Sequence, residues 1–164
     1  MDFEQIVSIA PYDWHSIVTA VFCGAIIGLE RQLRGKPVGV RTSSLITLGT
    51  YIFVHSALLL GNDVTDPSRV IGQVITGIGF LGAGVMLAKD GAVVGVTSAA
   101  TIWVLAAIGV CISIGSLLAA IKFSLICVAI LYGVDWLENH TKAFSRGVHA
   151  RYIKRRRNDQ ISGE

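Results

Sequence analysis

Charge is scarce in this sequence. Asp, Glu, Lys and Arg make up 15% of its 164 residues against 52% hydrophobic residues, too little to solvate an ordinary soluble domain of this size. Cysteine is also sparse: Cys23, Cys111 and Cys127 all fall inside apolar runs, with no CxxC or Cys/His spacing, which argues against a disulfide framework and against a zinc site. The start, Met1-Asp2-Phe3-Glu4, lacks the positive region of a secretory signal, so the first apolar stretch is expected to be retained as a helix. No GxSxG, HExxH, GxxxxGK[ST] or paired intramembrane carboxylate pattern occurs, so hydrolytic and nucleotide-driven chemistry find no support and the chain is read as non-enzymatic, without a cofactor. The net charge of +3 comes with no nucleic-acid recognition motif, and nucleic acid is not expected as a partner.

What is abundant is apolar sequence in span-sized lengths. About 20 apolar helical residues cross a hydrocarbon core about 30 Å thick, and that ruler gives spans at His15 to Leu29, Thr42 to Leu60, Val70 to Ala88, Thr97 to Ile114 and Leu117 to Leu137. Gly115-Ser116 is the only turn signal between the last two, which must form a tight hairpin. Basic residues orient the bundle. The first connection carries Arg31, Arg34, Lys36 and Arg41, the third Lys89, and the tail Lys142, Arg146, Arg151, Lys154, Arg155, Arg156 and Arg157; the second holds Arg69, and Lys122 lies in the fifth span. Twelve of the 14 Lys and Arg thus fall on one side if the N-terminus is outside and the C-terminus inside. The expected fold is an all-α membrane protein of about five transmembrane helices, N-out and C-in. Its transmembrane domain covers residues 1–137, and a basic cytoplasmic tail covers 138–164. In the tail Phe144, Val148 and Tyr152 recur every four residues among basic ones. Two readings stay open there, a helix lying on anionic lipid headgroups and a solvated basic end.

Several polar and small residues stand out against the apolar background. Glu30 ends the first span on the face of Thr19 and Cys23, within reach of Arg31, Arg34 or Arg41, as an interfacial ion pair or a functional carboxylate. Arg41, Ser44, Thr47, Tyr51 and His55 form a polar stripe on the second span that should face protein or water. His55 is its most suggestive member, as a residue that titrates near neutrality, although a lone intramembrane His more often bonds a neighbouring helix. Asp66 before Pro67 is expected to cap the third span, with Arg69 one turn on. Asp63 and Asp66 are weak metal candidates, since a hard cation wants around six oxygens.

The third span is rich in glycine. Gly72, Thr76, Gly79 and Ala83 line one narrow face, Gly77, Gly84 and Ala88 a second. Both suit close helix packing, and the GxxxG of Gly24 and Gly28 is a candidate partner; a discontinuous helix around a midplane site is the competing account. The fourth span opens on small and hydroxylated residues, Gly95-Val96-Thr97-Ser98-Ala99-Ala100-Thr101.

Four blocks, GAIIGLERQ at Gly24 to Gln32, GVRTSSL at Gly39 to Leu45, DPSRVIGQVITGIGFLGAGVML at Asp66 to Leu87 and GVTSAATIWVLAAIG at Gly95 to Gly109, resemble the MgtC/SapB family of bacterial inner-membrane proteins. The resemblance implies a role linked to magnesium limitation, membrane energetics and virulence or intracellular survival. It implies action through membrane partners, among them the F-type ATP synthase or a transporter; the paired small-residue faces suggest a homo-oligomer. Carried over, it marks Glu30, Arg31, Arg41, Thr42, Asp66, Arg69 and Trp103 as functional and Gly77, Gly79, Gly82, Gly84, Thr97 and Ala100 as packing positions. Better-known members carry a soluble α/β domain after the membrane part, and this sequence is expected to offer only its basic tail there. A non-enzymatic regulator is the leading expectation and a small Mg²⁺ or proton transporter or channel the alternative. The orientation is directly testable: a periplasmic reporter fused at Asn62 should be active and one fused after Leu137 inactive, and the reverse pattern would overturn the arrangement.

Overall fold

The computed structural model describes residues 8–61, 66–89 and 92–140. Five helices follow one another: α1 Trp14–Leu33, α2 Val40–Leu60, α3 Pro67–Gly84, α4 Val96–Ser113 and α5 Leu117–His140, with a short hairpin of β1 Leu87–Lys89 and β2 Ala92–Val94 between α3 and α4. Four of them, α1, α2, α4 and α5, are long and apolar enough to cross a membrane by length and composition. The expected five spans are thus met by five helices of which α3 falls short of that measure. Its 18 residues would rise about 27 Å, and its glycines, Gln73 and Thr76 dilute its apolar character.

Helix ends follow local chemistry. Asp13 accepts a hydrogen bond from Ser16 N–H at 2.8 Å to cap α1. Asp66 accepts from Ser68 N–H at 2.9 Å and from its hydroxyl at 2.7 Å to cap α3, with Pro67 in the first turn, where its missing N–H costs nothing. Hydrogen bonds from Ser16 and from Ser68 hold the two carboxyls below the ordinary carboxylate range. Each cap is therefore fully formed at neutral pH and is lost as pH falls through the lowered folded value. The α1–α2 turn needs left-handed backbone at Gly35, φ 61°, and at Val38, φ 70°. A β-branched residue resists that conformation, and Val38 is fixed there by burial and by the Ser43 hydroxyl donating to its carbonyl at 3.0 Å.

The fold is mostly helical as expected, with a short hairpin added to it, and the hairpin corrects the expected third span, which was drawn through Ala88. The helix stops at Gly84, and Leu87, Ala88 and Lys89 pair antiparallel with Val94, Val93 and Ala92. Asp90-Gly91, between Leu87-Ala88-Lys89 and Ala92-Val93-Val94, is the hairpin signal that the hydropathy ruler passes over. Gly95 closes the hairpin at φ 93°; a Cβ there would collide with the Val85 carbonyl oxygen.

The core is built by α1, α2, α4 and α5 around Ala20, Cys23, Ile27, Tyr51, Leu105, Ile108, Ile112 and Ala120. Helix α3 lies at the edge against α4 and α2 and contributes Ile78 alone to the buried hydrophobic cluster. Two glycine contacts set the spacing. A Cβ on Gly24 would lie 2.6 Å from Ser44 Cα and one on Gly28 2.6 Å from Val40 Cα, so the GxxxG of α1 seats the first turns of α2, not α3 as expected. On α4, a Gly109 Cβ would lie 2.7 Å from both the Thr47 carbonyl oxygen and Thr50 Cβ, so the C-terminal part of α4 rests directly on the middle of α2. Gly109→Ala should therefore push the two helices apart and cost on the order of 1–3 kcal/mol. Gly49→Ala, with nothing within 4 Å of the new methyl group, should be silent. Thermal unfolding of the two variants in mild detergent reads the difference, and equal melting temperatures would contradict this packing.

Candidate functional site: a buried charge cluster at one end of the bundle

The inner face of α1 runs through Ala20, Cys23, Ile27, Glu30 and Arg31 at helical spacing, so its last turn carries two charged residues into the space between α1 and α4. The side chain of Glu30 is 8% exposed and that of Arg31 4%. Arg34, one turn beyond Glu30, sets its Nε 2.7 Å from Glu30 Oε1, and its guanidinium lies 4.9 Å over the ring of Tyr132 on α5. Arg31 Nη1 is 3.9 Å from Glu30 Oε2, while Nη2 donates to Ser98 Oγ at 2.8 Å. One carboxylate thus sits between two guanidiniums, and the three side chains tie α1 to the first turn of α4 and to α5. Arg31 Nε–H meets no acceptor among the described residues.

Of the candidate residues, only Glu30 and Arg31 meet in this cluster. Arg41 and Thr42 are exposed at the start of α2; among the described residues Arg41 makes no ion pair with Glu30, and the pairing falls to Arg34 and Arg31. Thr97 and Ala100 are exposed on α4, as is Trp103. Asp66 and Arg69 are exposed at the start of α3, where Arg69 N–H donates to Asp66 O at 3.1 Å, and Asp63 lies outside the described residues. His55 belongs to a separate aromatic group at the far end of α2. Its ring centroid is 5.3 Å from Tyr51 and 5.5 Å from Tyr12, and the Tyr12 and Ser56 hydroxyls share a hydrogen bond of 2.7 Å.

The polar stripe of α2 is present but rotated. Its buried members are Ser43, Thr47, Thr50 and Tyr51, not Arg41 and Ser44. The Thr47 hydroxyl turns back to the Ser43 carbonyl at 3.1 Å, and the Gly109 contact closes the seam between Thr47 and Thr50. The glycines of α3 are placed differently again. A Cβ on Gly82 would lie 3.6 Å from Ala99 Cβ, in ordinary contact, whereas among the described residues nothing lies within 4 Å of where a Cβ would stand on Gly72, Gly77, Gly79 or Gly84.

Sequence reasoning missed Ser98 as the acceptor for Arg31, Tyr132 under Arg34, and Gly109 as a packing glycine. Ser98 and Gly109 lie in the block carried by the family resemblance, and no pairwise spacing connects them to α1 or α2. Among the described residues no three His, Cys, Asp or Glu converge. Glu30, held by two guanidiniums, is poorly suited to bind a divalent cation.

A bundle of five helices, four of them apolar enough to span, with charge buried only where it is paired, defines a multi-pass helical membrane protein. The MgtC family model matches residues 17–140, and the chain belongs to that family. It is 47% identical over 106 residues to the candidate magnesium transporter YhiD of Escherichia coli (strain K12), covering 60% of this chain and 49% of that protein. It is 38% identical over 118 residues to protein MgtC of Salmonella typhimurium (strain 14028s / SGSC 2262), covering 71% and 50%. A further relative, an uncharacterized protein of Haemophilus influenzae (strain ATCC 51907 / DSM 11121 / KW20 / Rd), is 43% identical over 114 residues, covering 64% and 48%. The chain therefore spans about half the length of the curated relatives it matches. No solved structure matches it significantly.

The cluster makes a specific energetic claim. Removing the charge of Glu30 leaves Arg31 buried without a counter-charge, and breaking such a pair costs about 3–5 kcal/mol. Glu30→Gln should therefore lower the melting temperature and the amount of protein in the membrane, and Glu30→Asp should restore part of both. A Glu30→Gln protein as stable as the parent would assign the carboxylate some role other than neutralising Arg31.

Proposed function

We propose that this chain is a non-enzymatic protein of the bacterial inner membrane, with all five helices spanning N-out and C-in, that acts by docking the open face of α3 onto another membrane helix. The partner helix belongs to a second copy of the chain or to a membrane complex, with the F-type ATP synthase and transporters as candidates from the family resemblance. The family and the name of the YhiD relative connect the work to magnesium, and a contribution to virulence or intracellular survival comes from the same resemblance.

The observation that carries this reading is the contrast between two sets of glycines. Gly24, Gly28 and Gly109 are consumed inside the bundle, whereas Gly72, Gly77, Gly79 and Gly84 on α3 face open space beside Phe80, which is 82% exposed. In lipid no hydrophobic gain draws helices together. Exposed small residues instead offer backbone-to-backbone approach to whatever helix arrives. A transporter or channel is the second reading, favoured by the buried hydroxyls of α2. Against it, Gly109 brings α4 hard onto α2 between Thr47 and Thr50, and Glu30 is engaged by arginines.

Gly79→Leu tests the proposal cleanly because no described atom lies within 4 Å of the new Cβ. The variant should reach the membrane in normal amount, yet lose its oligomers and partner crosslinks in native membranes and fail to complement. Ile78→Leu, a volume-conserving swap at a buried position, should cost under about 1.5 kcal/mol and keep function. Normal assembly and complementation by Gly79→Leu would reject docking through α3 and favour the transport reading, which flux of Mg²⁺ or protons into proteoliposomes then measures.

A further inference from the structure

The first turn of α4, which Arg31 ties to α1, carries backbone donors that the charge cluster does not engage. Its N-cap is Gly95, which has no side chain to accept from the turn, so the N–H groups of Val96, Thr97 and Ser98 stand at the positive end of an 18-residue helix without a side-chain cap. Val96 and Thr97 are exposed. Directly behind them the guanidinium of Arg31, its side chain 4% exposed, is fixed to Ser98 Oγ at 2.8 Å and keeps Nε–H without an acceptor.

A cation placed at a helix N-terminus is electrostatically misplaced unless an anion accompanies it. Glu30 only partly answers, because its close contact is to Arg34 at 2.7 Å while Arg31 lies at 3.9 Å. The three side chains carry a net charge of +1.

We propose that the N-terminal turn of α4, with Ser98 and the buried Arg31, is a binding site for a phosphate-type anion. The N–H groups of Val96 and Thr97, on two exposed residues, supply donors at the rim, and beneath them the buried Ser98 hydroxyl and the Arg31 guanidinium bonded to it supply a further donor and the charge. The chemistry is that of helix N-termini that hold phosphate, strengthened by charge-assisted hydrogen bonding from an arginine. The phosphate group belongs either to a soluble compound or to an anionic lipid headgroup.

The test uses the full chain in phosphatidylcholine nanodiscs, titrated with inorganic phosphate and followed by thermal unfolding and by the phosphorus NMR line of the anion, with a parallel arm in nanodiscs containing phosphatidylglycerol. The informative variant is Thr97→Asp, which puts a carboxylate on the exposed rim. It should fold at least as well as the parent, since an acidic residue suits a helix start, and it should repel the ligand. Arg31→Gln removes the charge beneath and should weaken binding about tenfold or more.

Saturable phosphate binding by the parent that Thr97→Asp abolishes supports the site and identifies a soluble anion. Stabilisation by phosphatidylglycerol alone, again abolished by Thr97→Asp, supports it and identifies a headgroup. Absence of both effects in the parent, or their persistence in Thr97→Asp, overturns the proposal whether or not Arg31→Gln folds.

Discussion

The structure depends on how closely helix backbones approach where no hydrophobic force holds them together. In water an apolar helix face is driven onto its neighbour; in lipid it is already solvated, and packing contacts and hydrogen bonds must do the holding. Three glycines make that possible here. Gly24 and Gly28 let α1 rest on the first turns of α2, and Gly109 lets α4 rest on Thr47 and Thr50 at its middle. With backbones this near, short hydroxyls reach across: Ser44 donates to the Val21 carbonyl at 3.2 Å and Ser113 to the Tyr51 carbonyl at 3.1 Å. The same closeness leaves room at the end of α1 for Arg31 to reach Ser98, which it could not do if the helices stood a leucine apart.

Much of this architecture was legible because the membrane imposes a length and a polarity rule that a one-dimensional reading can apply. The positions of α1, α2, α4 and α5, the tight turn at Gly115, and the Asp66 cap all follow from apolar run length and local capping chemistry. The β hairpin did not, since a ruler that reads only apolar run length passes over the Asp90-Gly91 turn signal between Leu87-Ala88-Lys89 and Ala92-Val93-Val94. Nor did the partner of the α1 GxxxG. A glycine pair announces that something comes close without saying what, and α2 wins because it is joined to α1 by a short turn.

The charge cluster illustrates a different limit. That Glu30 would pair with a nearby arginine follows from the cost of a carboxylate in an apolar span, and helical spacing favours Arg34, one turn away. That Arg31 would turn inward and find Ser98, 67 residues on, is a tertiary fact. Only the joint appearance of GLERQ and GVTSAATIW in one family resemblance hinted that the two segments belong together. The rotation of the α2 stripe, with Ser43 buried and Arg41 exposed, has the same origin. The closest neighbour, α1, decides which side of α2 is covered, and a polar stripe broad enough to include both residues cannot distinguish them.

Glycine therefore has two distinct uses in this fold. Inside the bundle it is spent on fixed contacts that a methyl group would break, and those positions are constrained by the chain's own fold. On α3 it leaves backbone uncovered at the rim, on the one helix of the five that falls short of the measure for a span and the one that adds least to the core. Mutational sensitivity has different meanings in the two places. Loss at Gly109 reports on whether the bundle forms at all, while loss at Gly79 in a protein that still forms its bundle reports on something outside it. The close contact at Gly109, the carboxylate paired with arginines and the uncovered glycine face are the observations behind the proposal of action at the bundle's surface. The two proposals accordingly place function on α3 and on the exposed start of α4, and not on the polar residues of α2.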